Sequence, residues 1–393
     1  MTASPTLDAP AVDFGRLRRE RLEKLRAALG ANGLDALVLL GQNNVAYASG
    51  ARAPAADASL AAHRRMVAVV TVDDEWPHLY TAFADGVPEE LPADHVHGPI
   101  AVETEAGAGE LAHSWPHGGV ALDEFTVPLH RALRDRQVAD ASASLSAAKV
   151  VKTSDEIALI RAAQRINEAA MADVEPLVRP GARTTELSGR FLRRIFELGA
   201  TANTVDPIFQ IMPDSIDDGP YSATGDLVFP TVTREQVLEA GDVIWVDTGI
   251  NFHGYASDFG RTWIVGAEPD ARQRAQFEGW RDVITRVLDT IRPGASAADL
   301  VRAAGTVYGR RPWPEHLYLG HGIGTDSAEM PLVGTDLGIE FDESFVLAAG
   351  MIVVLEPIAW EDGYGGYRAE EIVAVTDDGC ERLTDYHYRP FES

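Results

Sequence analysis

Apolar positions in the first part of the chain come in short runs broken by polar turns, behind one helical stripe. In the charged segment 15–29, Leu17, Leu22, Leu25 and Leu29 fall on one side, which predicts an amphipathic helix. Residues 36–40 predict a strand and Gly41-Gln42-Asn43-Asn44 a turn after it. Segments 66–72, 78–81 and 120–122 predict further strands, ahead of a helix near 126–136. Strands alternating with helices indicate an α/β domain over residues 14–150. No catalytic constellation emerges in it. Arg52, His63, Arg64 and Arg65 read as a solvated loop, with reach to a neighbouring site as the alternative.

The pattern changes near Lys149-Val150-Val151-Lys152, which sets a second domain at 151–393. Thr153-Ser154-Asp155-Glu156 reads as a capping box opening a long helix with Ile157, Ile160 and Ile166 on its apolar face. From here the chain partly repeats itself. Arg179-Pro180-Gly181-Ala182 precedes Glu186-Leu187, and Arg292-Pro293-Gly294-Ala295 precedes Asp299-Leu300 at the same offset, 113 residues on. In both places a long amphipathic helix ends at Arg-Pro-Gly and another begins; Phe277, Trp280, Ile284, Val287 and Ile291 give the second copy its spacing.

Each half also carries an apolar strand that runs into an acid. Val243 to Val246 lead to Asp247, Gly and Asn residues break the run, and 262–265 return, so Asp247 and Asp258 lie eleven positions apart on neighbouring strands. In the second half 351–355 lead to Glu356, and 366–375 read as the return strand bearing Glu370. A carboxylate at the end of so apolar a run is costly to bury unless it is paired or holds a metal. Between the halves lies Leu319-Gly320-His321-Gly322-Ile323-Gly324, whose glycines allow close backbone approach. It is not a dinucleotide loop, because no βαβ unit surrounds it and no acid follows at the required distance.

Composition narrows the partners. The formal net charge of −26 argues against nucleic acid or an anionic membrane surface, since both repel a polyanion. Cys380 is the single cysteine, so an internal disulfide and a Cys-rich zinc site are excluded, which fits a reducing cytoplasm. No apolar run reaches the length of about 18 residues that a spanning helix needs. Residues 1–13, Ala/Pro-rich and acidic, carry no signal-like core and read as a loose tail.

Asp247, Asp258, His321, Glu356 and Glu370 make four carboxylates and one imidazole. Converging on one cavity they would repel unless divalent cations neutralise them. Such an oxygen-rich set suits Mn, Fe(II), Co or Zn. Two metals can share a bridging water, lower its pKa and polarise a substrate oxygen.

With these residues in place the chain resembles the prolidase, aminopeptidase P and methionine aminopeptidase superfamily, the creatinase-like pita-bread metallopeptidases of the M24 group. The contexts Asp258-Phe-Gly-Arg-Thr262, His321-Gly-Ile-Gly324, Glu356-Pro357 and Arg368-Ala-Glu370 carry the likeness. It implies an N-terminal α/β domain followed by an α+β pseudo-symmetric pita-bread domain. It also implies two divalent ions, with Asp258 and Glu370 as bridging ligands. Asp247 would complete one sphere and His321 with Glu356 the other. Glu371 would stand behind the ligands or in the strand, and Thr262 would hydrogen-bond a ligand. A homodimer acting on a small dipeptide-like substrate is the implied assembly and partner.

Two positions depart from the peptidase pattern. Peptidase relatives place histidines where this chain has Pro230 and Ala328. Those histidines hold the substrate carbonyl or the tetrahedral intermediate, and losing one such donor costs about 10²–10³ in rate. Simple Xaa-Pro cleavage is therefore disfavoured. The leading expectation is a hydrolase of an unusual dipeptide-like or modified amino-acid amide, with His253, His316 or Tyr318 as substitute donors. The alternative is a lyase resembling the dimethylsulfoniopropionate lyase branch, with Asp326 or Glu329 as base. Against it, no aromatic cage for a sulfonium is evident, and that branch's extra acid is Gly249 here. A non-catalytic binding protein is the third reading.

Overall fold

Val38, Val69 and Leu122, buried in three neighbouring strands, mark the middle of the sheet that organises the unit Val12–Asp155. The structure is a computed structural model that describes residues 10–53, 65–114, 118–213, 235–305, 319–335, 337–361 and 363–392. The described residues divide into this unit and one built on Glu156–Ser393, the boundary falling a few residues beyond the expected position 150.

The first unit holds a six-stranded sheet in the order Val96–His97, His78–Tyr80, Val67–Thr71, Ala36–Leu39, Val120–Leu122, Val138–Asp140. One face packs on the helix Phe14–Ala31 through Leu22, Leu25 and Leu29; the other packs on Glu105–Ser114 through Ala108 and Leu111. Each fully buried Leu or Val contributes about 1.5–3 kcal/mol. The expected turn at Gly41–Asn44 is instead the start of a helix, Gln42–Ser49. The reason is tertiary. Asp123 accepts from the Leu40 and Gly41 amides (2.7 and 3.0 Å) and from Asn44 Nδ2 (2.8 Å), while Lys149 Nζ donates to Asn44 Oδ1 (2.6 Å). With its side chain so engaged, Asn44 cannot compete for the local backbone. Arg65 ion-pairs with Glu103 and Glu124 at 2.8 and 2.7 Å; His63 and Arg64 lie outside the described residues.

In the second unit the repeat is structural. Helices Ser154–Val174 and Thr184–Glu197 correspond to Ala271–Thr290 and Ala297–Ala304. Gly181 and Gly294, between each pair, share left-handed φ values of 84° and 88°, which only glycine adopts at little cost. Their amides donate to Leu238 and Leu347 at 2.8 and 2.9 Å, and isolated bridges Arg183–Val237 and Ser296–Val346 lie beside them. Leu187, Phe191 and Ile195, one helical stripe, pack with Ile166 and Ala170 onto Ile244, Val246, Phe259 and Trp263.

The first expected hairpin forms as Val243–Thr248 paired antiparallel with Phe259–Ile264, with Ile208–Ile211 on the other side. The second differs. Residues 366–375 do not make one return strand: Gly365–Arg368 pairs with Ile358–Glu361, and Glu371–Val375 pairs with Ile352–Leu355 in another sheet. The break falls at Ala369-Glu370, where the Glu370 amide leaves its own sheet and donates to the Gly260 carbonyl at 3.1 Å. The halves are thereby joined beside their acids.

Candidate metal centre

Strand pairing brings the five expected residues together. Asp247 stands opposite Gly260 in the first hairpin, and Asp258 comes just before the return strand. Oxygens of Asp247, Asp258 and Glu370 all lie within 4.8 Å of one another. His321, in the strand Gly320–Gly322, places Nε2 3.4 Å from Asp258 Oδ2 and 3.2 Å from Glu356 Oε1. Asp258 is thus common to both groups. Two glycines make the approach possible: a Cβ on Gly260 would sit 2.6 Å from Glu370 Cδ, and one on Gly322 would sit 2.1 Å from the Met330 carbonyl. Their role is to admit neighbouring chain, not a nucleotide.

A further residue lies inside this cluster. Arg368 reaches Asp247 at 3.3 Å and Glu370 at 2.5 Å, and also pairs with Glu356. It is 3% exposed, so its pairs are dry and strongly felt. Thr262 does not bond a candidate ligand as expected. Its hydroxyl donates to the Arg368 carbonyl at 2.7 Å and accepts from the Arg368 amide at 3.0 Å, so it positions the arginine. Glu371 turns to the opposite side, where Arg261 and the Tyr388 hydroxyl bond it at 3.3 and 2.7 Å. Arg261, 1% exposed, also donates to the carbonyls of Glu370 (2.8 Å), Tyr386 (3.0 Å) and His387 (3.3 Å).

Electrostatics follow from this burial. Desolvation pushes Asp247 up to about 7, with Arg368 opposing and Asp258 and Glu356 adding to the rise. Desolvation also carries Glu370 well above the carboxylate range, against Arg368. Glu356 goes the other way: burial disfavours its charge, but Arg368 and His321 outweigh burial and hold it at about 2. Burial likewise opposes charge on His321, and its contacts with Asp258 and Glu356 overcome this and raise it well above the usual imidazole value.

The residues fit a cation. Glu370 is 1% exposed, and its Oε2 has no hydrogen-bond partner among the described residues. A buried lone pair of that kind is expensive without a ligand to take it. His321 Nδ1 lies 2.9 Å from the Gly322 carbonyl; as donor to that carbonyl it turns Nε2 to the carboxylates, which hold a proton there without a metal, and a cation that displaces that proton would meet the Nε2 lone pair.

The comparisons agree. The family model for Metallopeptidase family M24 matches residues 158–377, more than half of the chain, and the Creatinase/Prolidase N-terminal domain matches 21–163. The chain belongs to metallopeptidase family M24. Among its M24 relatives, an Xaa-Pro dipeptidase of Pyrococcus furiosus is 30% identical over 240 residues, which are 60% of this chain and 63% of that one. The chain thus spans less than two thirds of that dipeptidase's length. An uncharacterized peptidase of Bacillus subtilis is 23% identical over 93% of this chain and 97% of its own. The prolidase of Pyrococcus horikoshii superposes with a TM-score of 0.72 at 22% identity, over 94% of this chain and 99% of that one, which establishes the pita-bread fold.

The remaining M24 site candidates divide. Glu329 opens the strand Glu329–Val333, its carboxylate against Gly324 in the loop that follows His321. Asp326 accepts the Gly324 amide with its backbone carbonyl at 3.1 Å. His253 is exposed. His316, Tyr318 and Pro230 lie outside the described residues. No helix among the described residues is long and apolar enough to cross a membrane.

Proposed function

We propose that this M24 chain is a dinuclear-metal hydrolase of a small dipeptide-like or modified amino-acid amide, working as a homodimer in the cytoplasm. The observation that carries the reading is the convergence of Asp247, Asp258, His321, Glu356 and Glu370, with Asp258 shared between two contact groups. Asp247, Asp258 and Glu370 would hold one divalent ion, and Asp258, Glu370, His321 and Glu356 the other, drawn from Mn, Fe, Co or Zn. When bound, two such ions supply a water of lowered pKa and polarise a carbonyl oxygen. The Gly322 carbonyl orients His321 for this, and Thr262 fixes the backbone of Arg368, whose guanidinium offsets the carboxylate charge.

Ala328 bears a methyl where the peptidase resemblance leads to a histidine, so it donates nothing to a developing oxyanion. Simple Xaa-Pro dipeptides are therefore poor candidates, and a substrate that brings or recruits its own donor is favoured. The test is an assay of the Mn-loaded protein on a dipeptide and amino-acid-amide panel that includes Xaa-Pro, with dimethylsulfoniopropionate alongside. Amide hydrolysis that disappears in Asp258→Asn is the expected result. Dimethyl sulfide release would overturn it in favour of elimination, with Asp326 or Glu329 as base. No turnover of any amide would leave the scaffold as a binding protein.

A further inference from the structure

A second cluster of metal-seeking side chains lies in the other unit, at an edge of the six-stranded sheet. Strands His78–Tyr80 and Val96–His97 run parallel, with Leu79 opposite Val96 and Tyr80 opposite His97. Side chains alternate between faces along a strand, so His78 and Tyr80 share one face with His97. His95, just before the edge strand, joins them. Its ring stacks on His78 with centroids 4.4 Å apart, while His97 lies 5.2 Å from His78 and 4.7 Å from Tyr80.

The nitrogens are arranged for more than packing. His78 Nδ1 and His97 Nε2 face each other at 2.9 Å. Two imidazoles on one tetrahedral ion, with metal–nitrogen distances of 2.0–2.1 Å, stand about 3.3 Å apart, so the gap needs to open by only a few tenths of an ångström. Behind His78, Nε2 lies 3.2 Å from Asp74 Oδ2, and Asp74 is itself held by the Thr71 hydroxyl at 2.8 Å. A carboxylate on the far nitrogen of a ligating histidine fixes its tautomer and raises its basicity. Here it leaves the Nδ1 lone pair to accept from His97 Nε2–H, and an ion taken by the pair would replace that proton. A third nitrogen, His95 Nδ1, is buried without a hydrogen-bond partner among the described residues, on a ring stacked against His78. The His78 side chain is 30% exposed, which gives an ion access from solvent.

We propose that His78, His97 and His95, with Asp74 orienting His78, form a separate site for a nitrogen-preferring divalent ion of the Cu(II), Ni(II) or Zn(II) kind. Imidazole ligation suits these ions, whereas the carboxylate centre, with one histidine, is of the oxygen-rich type. The site stands apart from the hydrolase reading and survives if that reading fails.

The probe is one equivalent of Cu(II) added to the untagged full-length protein, read by electron paramagnetic resonance for nitrogen coupling and by chelator competition for affinity. Two or three coupled nitrogens are expected, against one at most from His321. The coupling should vanish in the His78→Ala, His97→Ala double variant and persist in His321→Ala. Asp74→Asn keeps every imidazole and should weaken copper binding about 10–100-fold. A spectrum with one nitrogen or none, a signal lost in His321→Ala, or an Asp74→Asn affinity equal to wild type would overturn the proposal.

Discussion

Replacing Gly260 by alanine tests the candidate metal centre at its tightest point. The added Cβ would lie 2.6 Å from both Cδ and Oε1 of Glu370 and 2.7 Å from its Cγ. Ordinary carbon contacts begin near 3.5 Å, so the carboxylate must retreat by about 1 Å. It has little room to do so. Its amide is bonded to the Gly260 carbonyl, its carboxylate pairs with Arg368 at 2.5 Å, and the residue is 1% exposed. Overpacking of a rigid interior costs about 1–3 kcal/mol, and ligand distances are tolerated to about ±0.2 Å. Gly260→Ala should therefore lose 1–3 kcal/mol of metal-free stability, roughly 2–10 °C in Tm, and bind Mn(II) at least tenfold more weakly. Gly379→Ala is the control, since a Cβ there meets nothing within 4 Å. Urea unfolding and calorimetric Mn(II) titration read the two effects separately. A Gly260→Ala protein that matches Gly379→Ala in both would refute the claim that Glu370 is wedged against this glycine as a ligand.

Other outcomes follow from the same geometry. Arg368→Met leaves Asp247, Glu356 and Glu370 without their buried counter-charge, and metal-free protein at pH 8 should lose about 3–5 kcal/mol in urea unfolding. Saturating Mn(II) should recover most of it; an equal loss with and without metal would contradict the cation fit. Burial raises Glu168 to about 7, with its Oε1 accepting from the Asp385 amide and from Gln164. A carboxyl raised in the folded state takes up a proton the unfolded chain does not, so its contribution is full below about pH 4.5 and fades towards pH 7. Glu168→Gln should abolish that decline and gain up to about 3 kcal/mol at pH 8, checked by urea unfolding at pH 5 and 8. Ala328→His should raise Xaa-Pro dipeptide hydrolysis about tenfold or more if the peptidase framework persists; unchanged rates would mean the departure reaches beyond that side chain.

What could be read from the sequence was whatever had a local physical signature. Apolar runs terminating in Asp247 and Glu356 announce strands that bury an acid, and the Arg-Pro-Gly repeat announces two equivalent halves. Those signals, with the return strands bearing Asp258 and Glu370 and the glycine-flanked His321, pointed to the five residues that the structure brings together. Arg368 carries the same signature, a charge inside an apolar strand next to Glu370, yet it read as motif context because an arginine is no metal ligand. The break at Ala369-Glu370 has no local cue: nothing in Gly366 to Val375 forbids one strand, and only the amide bond to Gly260 separates it into two. The helix at Gln42–Ser49 was hidden for a similar reason, since Asp123 and Lys149, distant in sequence, neutralise the turn-forming tendency of Asn44. The histidine cluster depends on parallel pairing of a two-residue edge strand, which no periodicity records.

Arg261 has a mechanical consequence. One guanidinium grips the loop at Glu370 on one side and the carbonyls of Tyr386 and His387 on the other, under the rings of Tyr386 and Tyr388. The stretch 384–391 is in effect a bolt shot across the back of the carboxylates. A protease cut or fusion joint that loosened it would strand both Arg261 and Glu371 in the interior, and damage at the chain's far end would register as a change in cation affinity.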